Sequence, residues 1–395
     1  MKYLFTSMPV VSHVLPLVPL AQQLTLDGHD VLVATTGPAA DTARRAGLTT
    51  VDAGGRLDAR EPYDQLLEVI ARGESGHAAD DAEALRVHGA YFGEVGLRML
   101  DDLLGIGRQW GAEAVVYPGI HACGLVVARA LGAVGVLHGY GIPLPTFAPA
   151  LEHMLTSRGD LPDCVPEADV ELDVLPPSLP NFAELPWTNG KPRHRLGMRY
   201  GSFNGAGDVP PWLLHERDVP RVILTCGTTE AQAQRGDTYR RIIEALEGTE
   251  CEAVILSGGA VLDRLPVPLP PWVRLERWLP LKFALDQADA IVHHGGSGSL
   301  LTSFAAGLPQ VVIPIAGTVS MSNGQAVEAC GAGTMVDPNG LNSAELAKAA
   351  VDVLTSSAKR GAAAAVQREM EEMPSVRTVA TRLSSIVGER AEVRS

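Results

Sequence analysis

Several absences narrow what this chain can be. Its five cysteines, Cys123, Cys164, Cys226, Cys251 and Cys330, form an odd, scattered set without a C-x-x-C pair. That spacing excludes a disulfide framework and a cysteine-based zinc site, and it suits a reducing cytoplasm. Positive charge is in deficit: 32 Lys and Arg stand against 46 Asp and Glu, a formal net charge of −14. Nucleic acid and anionic membrane are therefore poor partners, because neutralising phosphates takes clustered Lys and Arg. The most apolar stretch, 112–137, is interrupted by Glu113, His121 and Arg129, so it reads as buried strand and helix rather than a membrane span. The first strand is not followed by an apolar h-region with a small-residue cleavage site, and a cytoplasmic location is expected. The first turn, Ser7-Met8-Pro9-Val10-Val11-Ser12, has no glycine. This excludes the G-x-G-x-x-G turn that a nicotinamide dehydrogenase needs after its first strand.

What is present is apolar and alternating. With 395 residues, 46% hydrophobic and 20% charged, the chain can bury two good cores. Tyr3-Leu4-Phe5-Thr6 reads as a strand, Val14 to Asp27 as a helix closed by Gly28, Asp30 to Ala34 as a strand and Ala39 to Ala46 as a helix. Ala114 to Tyr117 and Gly124 to Leu131 continue the pattern, which means parallel βαβ units and a doubly wound α/β sheet. From Leu161 to Pro220 prolines cluster, predicting a loop-rich end of one domain and a linker. The alternation restarts with strands at Arg221 to Thr225, Ala253 to Leu256, Val273 to Leu275, Ala290 to His293 and Gln310 to Ile313. Helices fall at Tyr239 to Leu246, Leu281 to Asp286 and Leu300 to Ala306. Ligands of such sheets sit outside the carboxyl ends of the strands.

The sharpest local signal is Ile291-Val292-His293-His294-Gly295-Gly296-Ser297-Gly298-Ser299. A buried strand runs into a glycine-rich turn and a helix start, where the backbone can approach an anion and unpaired N–H groups face it. With His294 as a further donor, these groups would neutralise a diphosphate without metal or Lys. A plain tight turn capped by His294 remains open on this ground alone.

His293-His294-Gly295-Gly296 followed by Gly307-Leu308-Pro309-Gln310 resembles the donor-binding signature of the family-1 glycosyltransferases. The likeness is to bacterial members that decorate polyketide and other natural-product aglycones, and it runs over nearly the whole chain. The resemblance implies the GT-B fold, α/β with two facing Rossmann-like αβα domains and a cleft between them. Residues 1–205 would bind the acceptor, 206–220 link, and 221–375 bind the donor, with a final helix at 376–390 packing back on the first domain. It further implies transfer of a sugar, here a deoxysugar from a thymidine diphosphate, to a small aromatic or polyketide aglycone. The transfer would be inverting, with neither metal nor cofactor. His294, Gly295, Gly296, Ser297, Gly298 and Ser299 would meet the diphosphate, with Gly227 and Thr228 on a neighbouring loop. Trp278 and Leu279, in Arg277-Trp278-Leu279-Pro280, would pack against the base, although Trp278 reads equally well as core. Plant relatives carry a ribose-binding Glu where this chain has Thr302, which favours thymidine over uridine.

At the first strand's end, the resemblance makes His13 of Ser12-His13-Val14-Leu15-Pro16 the general base, a role a neutral imidazole can fill. The alternative is a histidine that merely satisfies a helix start. Two departures from the family stand out. No carboxylate occupies Val116 to His121, where relatives hold one to support that histidine. A phenolic acceptor, or transfer to carbon, fits the weaker base, and His121 or an acidic residue elsewhere is an alternative partner. The sugar-gripping Asp-Gln pair is also missing after Pro314, which argues for a less hydroxylated sugar near Thr318 and Val319. Tyr91, Phe92, Met99, His138, Tyr140, Phe147 and Met154 read either as an aglycone pocket or as core. A catalytically silent GT-B auxiliary protein and a nucleotide-sugar epimerase are the alternative functions. Oligomeric state is left open, a homodimer included.

Overall fold

The computed structural model describes residues 1–55, 57, 82–143, 146–162, 164–179, 192–227, 236–258, 265, 268–314, 317–337 and 343–392. The chain divides into two compact units. The first comprises Met1–Leu175, Asn181–Phe203 and Met373–Ser395, and the second Pro176–Pro180 and Asn204–Glu372.

The first unit begins with β1 (Lys2–Thr6), α1 (Val11–Val14) and a 3-10 turn at Leu15–Leu17. There follow α2 (Val18–Leu26), β2 (Asp30–Thr35), α3 (Gly37–Arg45) and β3 (Thr50–Asp52). The single helix expected from Val14 to Asp27 is thus broken into short pieces. Pro16 and Pro19 explain this, since each lacks a backbone N–H and each sits in the first turn of its own piece. Next come α4 (Ala82–Trp110), β4 (Ala114–Pro118), α5 (Ala122–Leu131), β5 (Val134–His138), α6 (Phe147–Ser157), β6 (Val170–Asp173) and β7 (His194–Gly197). All strand pairs are parallel, in the order β3-β2-β1-β4-β5-β6-β7. β6 and β7 lie inside the stretch read as the loop-rich end of the first domain. They extend the sheet where the sequence offered only prolines and mixed charge.

The core between sheet and helices joins Leu4, Val115 and Tyr117 to Val95, Met99 and Leu103 of α4 and Leu125 and Val126 of α5. Contact is close enough to forbid side chains at places. A Cβ on Gly124 would lie 2.3 Å from that of Tyr117, and one on Gly89 2.3 Å from Pro149. Glycines that argue against a helix in the sequence are what let α4 pack on α6.

The second unit runs from a 3-10 turn (Pro211–Leu214) through β8 (Arg221–Thr225), α7 (Gly236–Leu246), β9 (Glu252–Leu256), β10 (Val273–Glu276) and α8 (Leu281–Leu285). It continues with β11 (Ala290–His293), α9 (Ser297–Ala305), β12 (Gln310–Val312), α10 (Gly317–Ala329), β13 (Gly333–Met335), α11 (Ser343–Thr355) and α12 (Ser357–Glu372). Its sheet is also parallel, ordered β10-β9-β8-β11-β12-β13. Alternate residues of β8 feed opposite cores. Val222 and Leu224 join Tyr239, Ile242 and Leu346 on one face, while Ile223 joins Leu213, Ala284 and Leu285 on the other. Burial on both faces is why these strands read as continuous apolar runs.

The last helix, α13 (Val376–Glu392), belongs to the first unit and packs on α2. Val379, Leu383 and Val387 supply its buried face. Ser384 Oγ accepts the Tyr3 hydroxyl at 3.1 Å and meets His29 Nε2 at 2.8 Å. Arg390 forms an ion pair with Asp169, whose other oxygen accepts Arg129 Nη1 at 2.7 Å and the Gly135 N–H at 2.8 Å. Burial pushes the Asp169 carboxyl up, but the Gly135 N–H and the two guanidiniums outweigh it and hold it below its ordinary value.

Asp169→Asn leaves two arginines against a neutral amide and should cost about 2 kcal/mol, read as a lower urea midpoint. The folded value lies below the unfolded one, so this contribution is present above the ordinary carboxylate range. It is lost as pH falls through the folded value. The midpoints of variant and parent are therefore expected to converge in acid.

Candidate active site

In the second sheet the strand order reverses between β8 and β11, where His293 is in register with Thr225. Loops leaving the carboxyl ends of these two strands diverge and leave a crevice. After β8, Gly227 adopts φ +87° and donates its N–H to Thr225 Oγ1 at 3.2 Å. Cys226 N–H donates to the Tyr239 hydroxyl at 2.8 Å, which itself donates to the Leu256 carbonyl of β9. Thr228 lies outside the described residues.

After β11 the chain turns sharply into α9. Gly295 sits at φ +84°, where a Cβ would meet the Ser320 carbonyl oxygen at 2.7 Å. A side chain there is excluded by conformation and by space. Gly296 is the N-cap of α9, no side chain caps the helix, and the first helical bond runs from Leu300 N–H to the Gly296 carbonyl. The N–H groups of Ser297, Gly298 and Ser299 therefore have no intrahelical acceptor, and with the helix dipole they offer positive potential to an anion. The half-buried His294 ring lies against Gly296, whose Cβ would fall 2.5 Å from Nε2.

The Gly295 N–H is spent inside the protein: it donates to His293 Nδ1 at 3.1 Å. An accepting Nδ1 places the ring proton on Nε2, which donates to Gln310 Oε1 at 2.9 Å. Burial pushes His293 down to about 4, so it is neutral. From α10, Asn323 Nδ2 donates to the Gly295 carbonyl at 2.7 Å and reaches Ser297 Oγ at 3.3 Å. Ser320 and Val319 lie on the first turns of the same helix. Thr318 is on that helix too, its side chain outside the described set.

Thr302 is fully buried, with its hydroxyl donated to the Gly298 carbonyl at 2.6 Å and accepting Asn204 Nδ2 at 3.2 Å. Trp278 lies on the backbone of residues 205–207. Its indole N–H donates to the Ala206 carbonyl at 3.0 Å, and Cβ atoms on Gly205 and Gly207 would fall 2.8 and 2.9 Å from the ring. The Leu279 side chain is in the core with Leu213 and Ile223.

The first sheet reverses between β1 and β4. His13, on α1, follows β1, and His121 caps α5 after β4. His121 is fully buried, its Nε2 3.2 Å from Thr6 Oγ1. Its Nδ1 and that of His13 are both buried and unpartnered among the described residues. The His13 ring lies 5.8 Å from that of Tyr140. Burial pushes His13 down to about 4, and burial together with the neighbouring His13 pushes His121 down to about 3. His13 opposes a proton on His121, so His121 is placed beside His13 but does not supply a negative charge. Of the apolar set, Met99, Phe147 and Met154 are buried core, while Tyr91, Phe92 and Tyr140 are half-buried at its margin.

The two switch points thus differ in chemistry: one carries a neutral histidine, the other a helix start without a side-chain cap. Residues 22–227 match the family model for erythromycin biosynthesis protein CIII-like, N-terminal domain, and residues 241–386 match that for its C-terminal domain. The chain belongs to the erythromycin biosynthesis protein CIII-like family. It is 26% identical to aclacinomycin-T 2-deoxy-L-fucose transferase of Streptomyces galilaeus, over 100% of this chain and 98% of that one. The crystal structure of the glycosyltransferase SnogD from Streptomyces nogalater matches with a TM-score of 0.81 at 30% identity, covering 98% of this chain and 100% of that one. SsfS6 of Streptomyces sp. SF2575, complexed with thymidine diphosphate, matches with a TM-score of 0.75 at 25% identity, covering 98% and 99%. This CIII-like chain is accordingly a glycosyltransferase of the antibiotic-biosynthesis type with the GT-B fold.

Among the described residues of the CIII-like protein, no group of three or more His, Cys, Asp or Glu is arranged to hold a metal ion, and no helix is long and apolar enough to cross a membrane. The sequence reading missed Asn323 and the part played by His293 and Gln310. Their only signal is a polar side chain inside an otherwise apolar or small-residue setting: the last residue of β11, the first of β12, and one position of α10.

His13, His121, His138 and His293 are all held by burial well below their ordinary value of 6.5. Unfolding frees them to bind protons from about pH 6.5 downward, so stability should fall steadily as pH drops from 6.5 toward 4. Chemical denaturation at pH 7 and pH 5 checks this, with a clearly lower midpoint expected at pH 5.

Proposed function

We propose that the enzyme transfers a deoxysugar from thymidine diphosphate to a hydroxyl of a small aromatic or polyketide aglycone, by a single inverting displacement in the cytoplasm. The observation that carries this reading is the start of α9, where uncapped N–H groups and His294 converge at the switch point of the second sheet. Such donors compensate a diphosphate through dipoles, which explains how a chain of net charge −14 can take an anion without a metal. The deoxysugar and thymidine choices draw on the similarity to a 2-deoxy-L-fucose transferase and to a thymidine diphosphate complex. Thr302 agrees with them, because its hydroxyl is committed within the fold and no carboxylate stands at that position to grip a ribose 2′-hydroxyl. The cytoplasmic assignment draws on the odd, scattered set of five cysteines, which contains no C-x-x-C pair.

In this reading His13 takes the proton of the acceptor hydroxyl as its oxygen bonds to the anomeric carbon from the face opposite the leaving group. The bond from that carbon to the diphosphate oxygen breaks, and its electron pair leaves with thymidine diphosphate. His13 is suited to begin the step because burial keeps it unprotonated down to about pH 4. A low-pKa imidazole is a weak acceptor of protons, so an acidic hydroxyl such as a phenol is the matching acceptor.

His13→Ala should lower kcat/KM by about 10²- to 10⁴-fold, with thymidine diphosphate affinity unchanged; an unaltered rate would remove the base assignment. The acid limb of kcat/KM for the parent should lie near pH 4, well below that of an ordinary histidine. Thymidine diphosphate at a hundred times its Kd should stabilise the protein by about 2.7 kcal/mol, with uridine diphosphate doing less at the same concentration. A flat thermal response to both nucleotides would count against a donor site on α9.

A further inference from the structure

The turn that begins α9 contains two consecutive glycines, and a peptide between glycines can rotate at little cost. Its orientation matters to an anion. The peptide is planar and trans, so the Gly295 carbonyl and the Gly296 N–H point in opposite directions. One orientation presents a donor where the other presents a carbonyl oxygen, the negative end of the dipole. The structure holds this turn from both sides. Asn323, fully buried on α10, donates to the Gly295 carbonyl at 2.7 Å. His293 accepts the Gly295 N–H at 3.1 Å, and fully buried Gln310 holds the His293 proton on Nε2 at 2.9 Å, keeping Nδ1 free to accept.

We propose that Asn323 is a positioning residue that locks the Gly295–Gly296 peptide with its carbonyl turned away from the nucleotide diphosphate, and that the His293–Gln310 pair supports it by fixing the preceding His294–Gly295 peptide. The assignment rests on reading the start of α9 as the diphosphate site. None of the three side chains touches the ligand in this scheme. Asn323 draws the carbonyl toward α10 and so aims the Gly296 N–H the opposite way. Asn323 also reaches Ser297 Oγ at 3.3 Å as a donor, which leaves the Ser297 hydroxyl proton for an acceptor other than Asn323. Gln310 acts one step further out, through the tautomer of His293.

The test compares thymidine diphosphate with thymidine, which shares the base and sugar and lacks the diphosphate, by calorimetric titration of the full chain. In the parent, thymidine diphosphate should bind more tightly. Asn323→Ala and Gln310→Leu should each raise the Kd for thymidine diphosphate about tenfold while thymidine affinity stays within about twofold. Asn323→Asp, of the same shape, keeps the test available if the alanine variant does not fold. As a carboxylate it cannot donate to the Gly295 carbonyl and brings a negative charge to the turn, so at about pH 8 its loss should exceed that of Asn323→Ala. Equal weakening of both ligands would mark a structural role only and overturn the proposal, as would unchanged affinity for thymidine diphosphate. If the parent itself binds the two ligands equally, the diphosphate reading falls and this one with it. A discriminating parent with indifferent variants sinks the positioning role alone.

Discussion

A strand buried on both faces leaves little room for polar side chains along its length, and much of this molecule follows from that constraint. β4, β5, β8 and β11 are buried from end to end. Histidines gather at their carboxyl ends: His138 and His293 are the last residues of β5 and β11, His121 follows β4 and His294 follows β11, while buried Arg221 at the start of β8 is paired with Glu252. Parallel connectivity puts all those ends on one edge of each sheet. Where the strand order reverses, the loops part instead of covering one another. In the first unit that place holds imidazoles; in the second, a glycine turn and a helix start without a side-chain cap.

Burial then sets the electrostatic character of both places. It removes the proton from the histidines, so His13 is neutral and His293 can serve as an acceptor toward a backbone N–H. At the start of α9, peptide dipoles supply positive potential. Dipoles fixed by the fold need no side-chain ordering when an anion arrives, and they coexist with an acidic surface. Their weakness is orientation, because a glycine turn that fits an anion is also free to turn over. The polar contacts of Asn323, His293 and Gln310 are the counterpart of that freedom.

The alternation of strands and helices was readable because buried parallel strands write themselves as apolar runs, and the family resemblance rested on the turn after β11. What escaped were elements without such runs. β6, Val-Glu-Leu-Asp, and β7, His-Arg-Leu-Gly, sit at the margin of their sheet, and β7 is largely exposed. α10 is built of Gly, Ser, Thr and Asn as much as of apolar residues, so its periodicity is faint. The packing role of the α4 glycines shows only when α6 is seen against them. Thr302 illustrates the limit at the level of one residue. Its identity was visible, but its commitment to Gly298 and Asn204 was not.

By itself, the sequence determined the order of elements and the residues that end them, because apolar periodicity and glycine placement are local properties. It therefore determined that His13 follows the first strand and that a glycine turn follows β11. Only the tertiary structure decided which strand ends are neighbours, that His121 comes to His13, and which polar groups of the turn are already spent. Those outcomes depend on hydrogen bonds and burial between segments far apart along the chain, such as Asn323 with Gly295 and Asn204 with Thr302. No window of sequence contains both partners.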